Sequence, residues 1–185
     1  MNKILLTLLV LILISKLFID NSDRLYGIRL YDDVGDWVHI PRYQPWKKNK
    51  DPVVGYYYVD LIIDMSPLFY KEGGLKRADI ESLPWGPNRF LYVAFGEDKK
   101  IVKIHQVNGY GDSRECKRSE SFARKKLENE YNIEMERNLD TRYGFQKWMG
   151  DSLLTTECVN GTRLDITLQS KEYFTKYKEY LNSKI

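Results

Sequence analysis

The chain is poor in the residues that most often carry chemistry. Its 185 residues include two cysteines and two histidines, His39 and His105. Zinc normally takes three or four His, Cys or carboxylate ligands at workable spacing, and no such spacing occurs. The H-E-x-x-H, P-loop and G-x-S-x-G patterns are missing as well. Two cysteines are too few for a Cys-dense scaffold. Six prolines and twelve glycines are too few for a collagen-like chain. A single long apolar run excludes a protein of many membrane spans. No charge sign dominates either. Without residues 1–22, which hold Lys3, Lys16 and Asp20, 27 bases stand against 25 acids. That balance gives no electrostatic case for nucleic acid. The sequence therefore predicts no cofactor, no metal and no nucleic-acid partner.

Apolar residues make up 43% of the chain, and 14 residues are tyrosine. This is enough apolar surface to offset the entropy of ordering one domain. Residues 4–14 form an apolar run broken only by Thr7, preceded by Lys3. That is the charged and apolar part of an export signal. No A-x-A-like cleavage site follows, and a helix over residues 4–19 reaches about 24 Å, short of a roughly 30 Å hydrocarbon core. Residues 1–22 thus read as a signal peptide or an uncleaved membrane anchor. Residues 23–185 read as an exported domain, periplasmic or secreted, that touches membrane only through that leader.

Hydrophobic spacing predicts an α+β fold: an antiparallel, hairpin-built sheet with helices packed on one face. Residues 25–31 are a candidate strand, residues 32–36 a turn and residues 41–50 an exposed loop. Residues 53–64 alternate as a strand, with Val53, Tyr57, Val59, Leu61 and Ile63 inward. Residues 66–88 carry short helical turns and Trp85. Residues 90–95 and 100–107 read as a hairpin pairing Val93 with Val102 and Leu91 with Ile104. Asp112 and Glu115 have capping-box spacing, and Cys116, Ala123, Leu127 and Tyr131 follow as one helical stripe, widened by Phe122. Residues 140–150 read as an irregular cover. Asn160-Gly161 marks a second hairpin. A three-residue loop, 159–161, pairs Thr156 with Leu164 and Leu154 with Ile166, and sets Glu157 opposite Arg163. Ser170 caps a last helix carrying Tyr173, Phe174, Tyr177, Tyr180 and Leu181.

The same spacing turns both cysteines inward, Cys116 on a helix and Cys158 on a strand. In an oxidising compartment two such residues on packed elements form a disulfide. The helix around Cys116 carries six bases over residues 114–126, a solvated face with an acidic partner as its alternative. Asp32, Asp33 and Asp36 lack the spacing of a calcium loop. Gly109-Tyr110-Gly111 lacks the third glycine of a dinucleotide fingerprint and reads as a tight turn.

One constellation is left. On the sheet face away from the core the strand pattern gathers Tyr56, Tyr58, Asp60, Tyr92, Lys103 and His105. Tyrosines beside charged groups stack on and hydrogen-bond a glycan or peptide. The alternative is a second layer of packing, with these rings covered by another element. His105 near Asp60 has the makings of a general base. The function expected is a non-catalytic envelope interaction module that binds an envelope protein or cell-wall component. The alternatives are an envelope hydrolase using this face and a secreted inhibitor presenting residues 66–88.

Overall fold

A computed structural model describes residues 22–37, 49–53, 55–62 and 89–184. The expectations for the leader, for residues 66–88 and for most of the 41–50 loop lie outside them. Strands β1 (Arg24–Leu25) and β2 (Ile28–Arg29) form a tight hairpin, followed by the short helix α1 (Val34–Trp37). Eight further strands make one sheet: β3 (Asn49–Lys50), β4 (Tyr56–Ile62), β5 (Arg89–Gly96), β6 (Ile101–Gly109), β7 (Glu136–Arg137), β8 (Gly144–Met149), β9 (Ser152–Val159) and β10 (Arg163–Ser170). Their order is β3-β4-β5-β6-β10-β9-β8-β7, with every pairing antiparallel. Two long helices complete the described fold, α2 (Ser113–Tyr131) after β6 and α3 (Lys171–Asn182) after β10. The α+β, hairpin-built architecture read from the sequence is the one observed.

The main core lies between one sheet face and α2. Leu91, Val93, Phe95, Ile104, Leu154, Leu164, Ile166 and Leu168 point into it from the sheet. Cys116, Ala123 and Leu127 meet them from the helix, and Leu25, Ile28 and Leu30 close the side. Asp112 begins α2 by accepting hydrogen bonds from the amides of Arg114 and Glu115 at 2.7 and 2.8 Å, which satisfies two otherwise orphaned donors. Tyr131 at the far end donates its hydroxyl to the Arg24 carbonyl, tying α2 to the small hairpin. The Cys116–Cys158 disulfide joins the first turn of α2 to β9, with Cα atoms 5.9 Å apart. Helix α3 takes the opposite sheet face, so the two long helices cover both faces of the sheet and not the single face expected from the sequence. There Tyr173 packs with Val53, Tyr56, Ala94 and Val102 in a smaller cluster.

Several local expectations are corrected. Residues 25–31 are a hairpin rather than one strand, because Tyr26 and Gly27 both take positive φ (56° and 80°), the turn that a two-residue loop requires. Residues 34–37 are a helical turn. Val53 precedes Gly55 (φ 86°), so it leaves the strand's alternation and joins the α3 side. Ile101 and Val102 exchange faces. The Ile101 amide and carbonyl bond the Asp32 carbonyl and the Tyr31 amide at 3.0 and 2.7 Å, and the β5–β6 register shifts at Ala94/Phe95. Val93 then pairs with Ile104 and Leu91 with Gln106. In the second hairpin Leu154 pairs with Leu168 and Thr156 with Ile166. Glu157 consequently opposes Asp165, not Arg163. Phe122 is 65% exposed. Residues 144–149 form a strand.

Candidate functional site

On the face that carries α3, side chains run across the strands in rows set by the register. One row passes from Tyr58 through Ala94 and Lys103 to Gln169. The next passes from Asp60 through Tyr92 and His105 to Thr167. A third reaches Val107 and Asp165. Alternation puts Tyr58, Tyr92, Lys103 and His105 on one face, as the sequence implies. The side chain of Asp60 lies outside the described residues.

A cavity of about 310 Å³ opens over these rows. Tyr58, Tyr92, Lys103 and His105 line it. So do Asp51 from the segment before β4 and Arg163 from β10, neither of which the sequence reading placed here. Four of the six expected residues therefore share one concavity. Tyr56 stands outside its lining. Its ring meets Tyr173 edge-on at 5.3 Å, and its hydroxyl donates to Glu172 and accepts from Lys176 at 3.3 and 3.0 Å. It belongs to the layer that holds α3 on the sheet. Packing thus claims the Tyr56 end of the face and leaves the Tyr58–Tyr92–His105 end as a hollow.

The rings form the floor. Tyr58 and Tyr92 meet edge to face with centroids 6.3 Å apart, and Tyr92 lies 5.7 Å from the His105 ring. Such aromatic contacts fix ring orientation and leave faces able to take a ligand. The carboxylates around the cavity are already engaged. Asp51 accepts the Tyr173 hydroxyl at 3.0 Å and the Val53 amide at 2.9 Å. Asp165 accepts both arms of the Arg163 guanidinium at 2.8 and 3.0 Å, and its Oδ2, which takes one of them, stands 3.3 Å from His105 Nε2. Among the described side chains the acid that faces His105 is Asp165. Burial pushes the imidazole below its ordinary value, against the pull of Asp165. His105 is accordingly neutral at pH 7.

Lys103 differs from these groups. Its ammonium lies 5.4 and 5.7 Å from the ring centroids of Tyr173 and Tyr177, and among the described residues no carboxylate comes within ion-pair distance of it. Burial holds it below the usual lysine range, with Asp51 and Asp165 opposing from further away. Among the described residues no group of three His, Cys, Asp or Glu side chains is placed to hold a metal ion.

Asp51 escaped the sequence reading because its segment looked like the end of a loop. Arg163 and Asp165 escaped because a hairpin register displaced by two residues put Arg163 beside Glu157. The signal for them was an Arg-x-Asp spacing on a strand, which sets both side chains on one face. No protein-family model, curated protein or solved structure matches the chain.

Proposed function

We propose that this chain is an exported, non-catalytic interaction module of the cell envelope, with the tyrosine-lined cavity as its binding site. The observation that carries this reading is the cavity itself. It is a half-buried hollow of aromatic rings with a few polar groups at its edge, the usual make-up of a small-ligand site. The apolar leader, residues 1–22, supports export, whether it is cleaved or retained as an anchor. The Cys116–Cys158 bond fits an oxidising compartment. A cell-wall component or the exposed part of an envelope protein is the partner this setting supplies.

The test has two parts. Fractionation of cells producing the full chain should recover it in the envelope or medium, with no free thiol under denaturing, non-reducing conditions. Isolated cell-wall material should then retain the protein, and Tyr58→Ala with Tyr92→Ala should abolish retention while the melting temperature drops by less than about 4 °C, the shift expected for roughly 1 kcal/mol. A full-length chain found reduced in the cytosol removes the envelope role. A double variant that unfolds, or that binds as well as the parent, makes the tyrosines packing alone.

A further inference from the structure

The charges around the cavity divide into satisfied and unsatisfied groups. Arg163 and Asp165 neutralise one another in a two-pronged pair, and Asp51 is held by a hydroxyl and an amide. Lys103 alone is a cation whose donors have two ring faces nearby and no anionic acceptor among the described residues. Ring faces attract a cation but accept no directed hydrogen bond, so three N–H donors keep their capacity. A half-buried ammonium in that state is under-compensated, and a ligand anion is the missing partner.

We propose that the cavity takes a small monocarboxylate carried on a ring, its carboxylate held by Lys103 and its ring laid against Tyr58 and Tyr92. This rests on the cavity being the binding site. The single charge follows from the surroundings. Asp51 lines the same cavity with only a hydroxyl and an amide on its carboxylate, while Arg163 cancels Asp165, so among the described residues a dianion such as phosphate meets one free carboxylate beside the one ammonium. The ring follows from the floor, since two tyrosines and an imidazole offer flat apolar area. The size follows from about 310 Å³, at the small end of ligand sites. A uronic or similar sugar acid and an aromatic acid share this chemistry.

Calorimetric titration of the full chain in detergent micelles distinguishes them, using glucuronate against glucose, benzoate against benzyl alcohol, and inorganic phosphate. One acid of the two pairs should bind at least ten-fold more tightly than its neutral partner and than phosphate, as expected for a charge-assisted hydrogen bond. Whichever acid does so identifies the class. Lys103→Met should weaken that acid at least ten-fold and so remove its advantage over the neutral partner. Lys103→Gln serves if the methionine variant does not fold. Neutral probes bound as tightly as acids, phosphate bound best, or an acid preference that survives loss of Lys103 overturns the inference and leaves the cavity standing as a site. Failure of every probe, charged and neutral, at millimolar concentration overturns the inference. If isolated cell-wall material also fails to retain the protein, the binding reading falls with it.

Discussion

Glu120 and His105 are titratable groups that burial moves in opposite directions. Glu120 sits on the inward stripe of α2, 6% exposed. Its Oε1 accepts the Thr156 hydroxyl at 2.7 Å and lies 3.5 Å from Arg124 Nε. Desolvation raises its carboxyl above the ordinary value despite both partners. A raised acid binds a proton in the folded chain before it does in the unfolded one. Stability attributable to Glu120 therefore falls as pH rises from the ordinary carboxylate value through the raised one. His105 has a lowered value, so its contribution is complete above about pH 6.5 and is lost as pH falls through the folded value. Single variants separate the two. In urea titrations at pH 4.5, 5.5 and 7, Glu120→Gln should be no less stable than the parent at pH 7 and should lose the gain on acidification. His105→Gln should lose the acid-side decline. Glu120→Ala should destabilise by about 1–3 kcal/mol by leaving the Thr156 hydroxyl buried without an acceptor. Equal pH profiles for parent and both glutamine variants would show that neither group is coupled to folding.

The helix caps and turns decide how well the elements were legible. Asp112 and Ser170 announced the starts of α2 and α3, and both side chains accept the amides their spacing implies. Asp112→Ala should therefore cost about 1 kcal/mol, read as a lower urea midpoint with unchanged slope. Face assignment in the last hairpin was equally legible, since Leu154, Cys158, Leu164, Ile166 and Leu168 all reach the core. Register was not, in either hairpin. Alternation fixes parity, and a slip of two residues preserves every face, except at the β5–β6 register shift, where Ile101 and Val102 exchange. The turns themselves decided it. Lys99 takes φ 63° after Glu97-Asp98, while Asn160 and Gly161 take φ 51° and 77° with the Thr162 amide returning to the Val159 carbonyl at 3.2 Å. Of the candidate site, the four residues from long strands were readable for the same reason of parity. Asp51 depends on turn geometry that composition does not encode, whereas Arg163 and Asp165 share a face by the same parity on β10. Gly161 carries a second constraint, because a Cβ there would stand 3.2 Å from the Ser113 side chain. Gly161→Ala should lower stability by roughly 1–2 kcal/mol through the left-handed backbone alone. A variant as stable as the parent would mean that the turn relaxes to another type.

At the scale of the molecule, one covalent bond closes the part of the chain that builds the β7–β8 edge. Cys116 and Cys158 are 42 residues apart in sequence, and α2, β7, β8 and β9 occupy the span between them. Both cysteines are buried in the main core, so the bridge joins elements that already pack together. Its contribution then lies mostly in the unfolded chain, where the closed loop removes conformations. For this separation the chain-entropy model gives about 4 kcal/mol. A chain of this size shifts by about 2–4 °C per kcal/mol. Cys116→Ala with Cys158→Ala should therefore lower the melting temperature by about 8–16 °C and leave the folded state and its cavity intact. Reduced parent protein should melt within about 3 °C of the double variant, because both lack the same constraint. The urea slope should rise, since an unbridged chain exposes more surface on unfolding. A small shift with an unchanged slope would place the bond's effect outside the unfolded chain. A double variant without native packing would mean that the sulfurs bring α2 to the sheet rather than fasten it there.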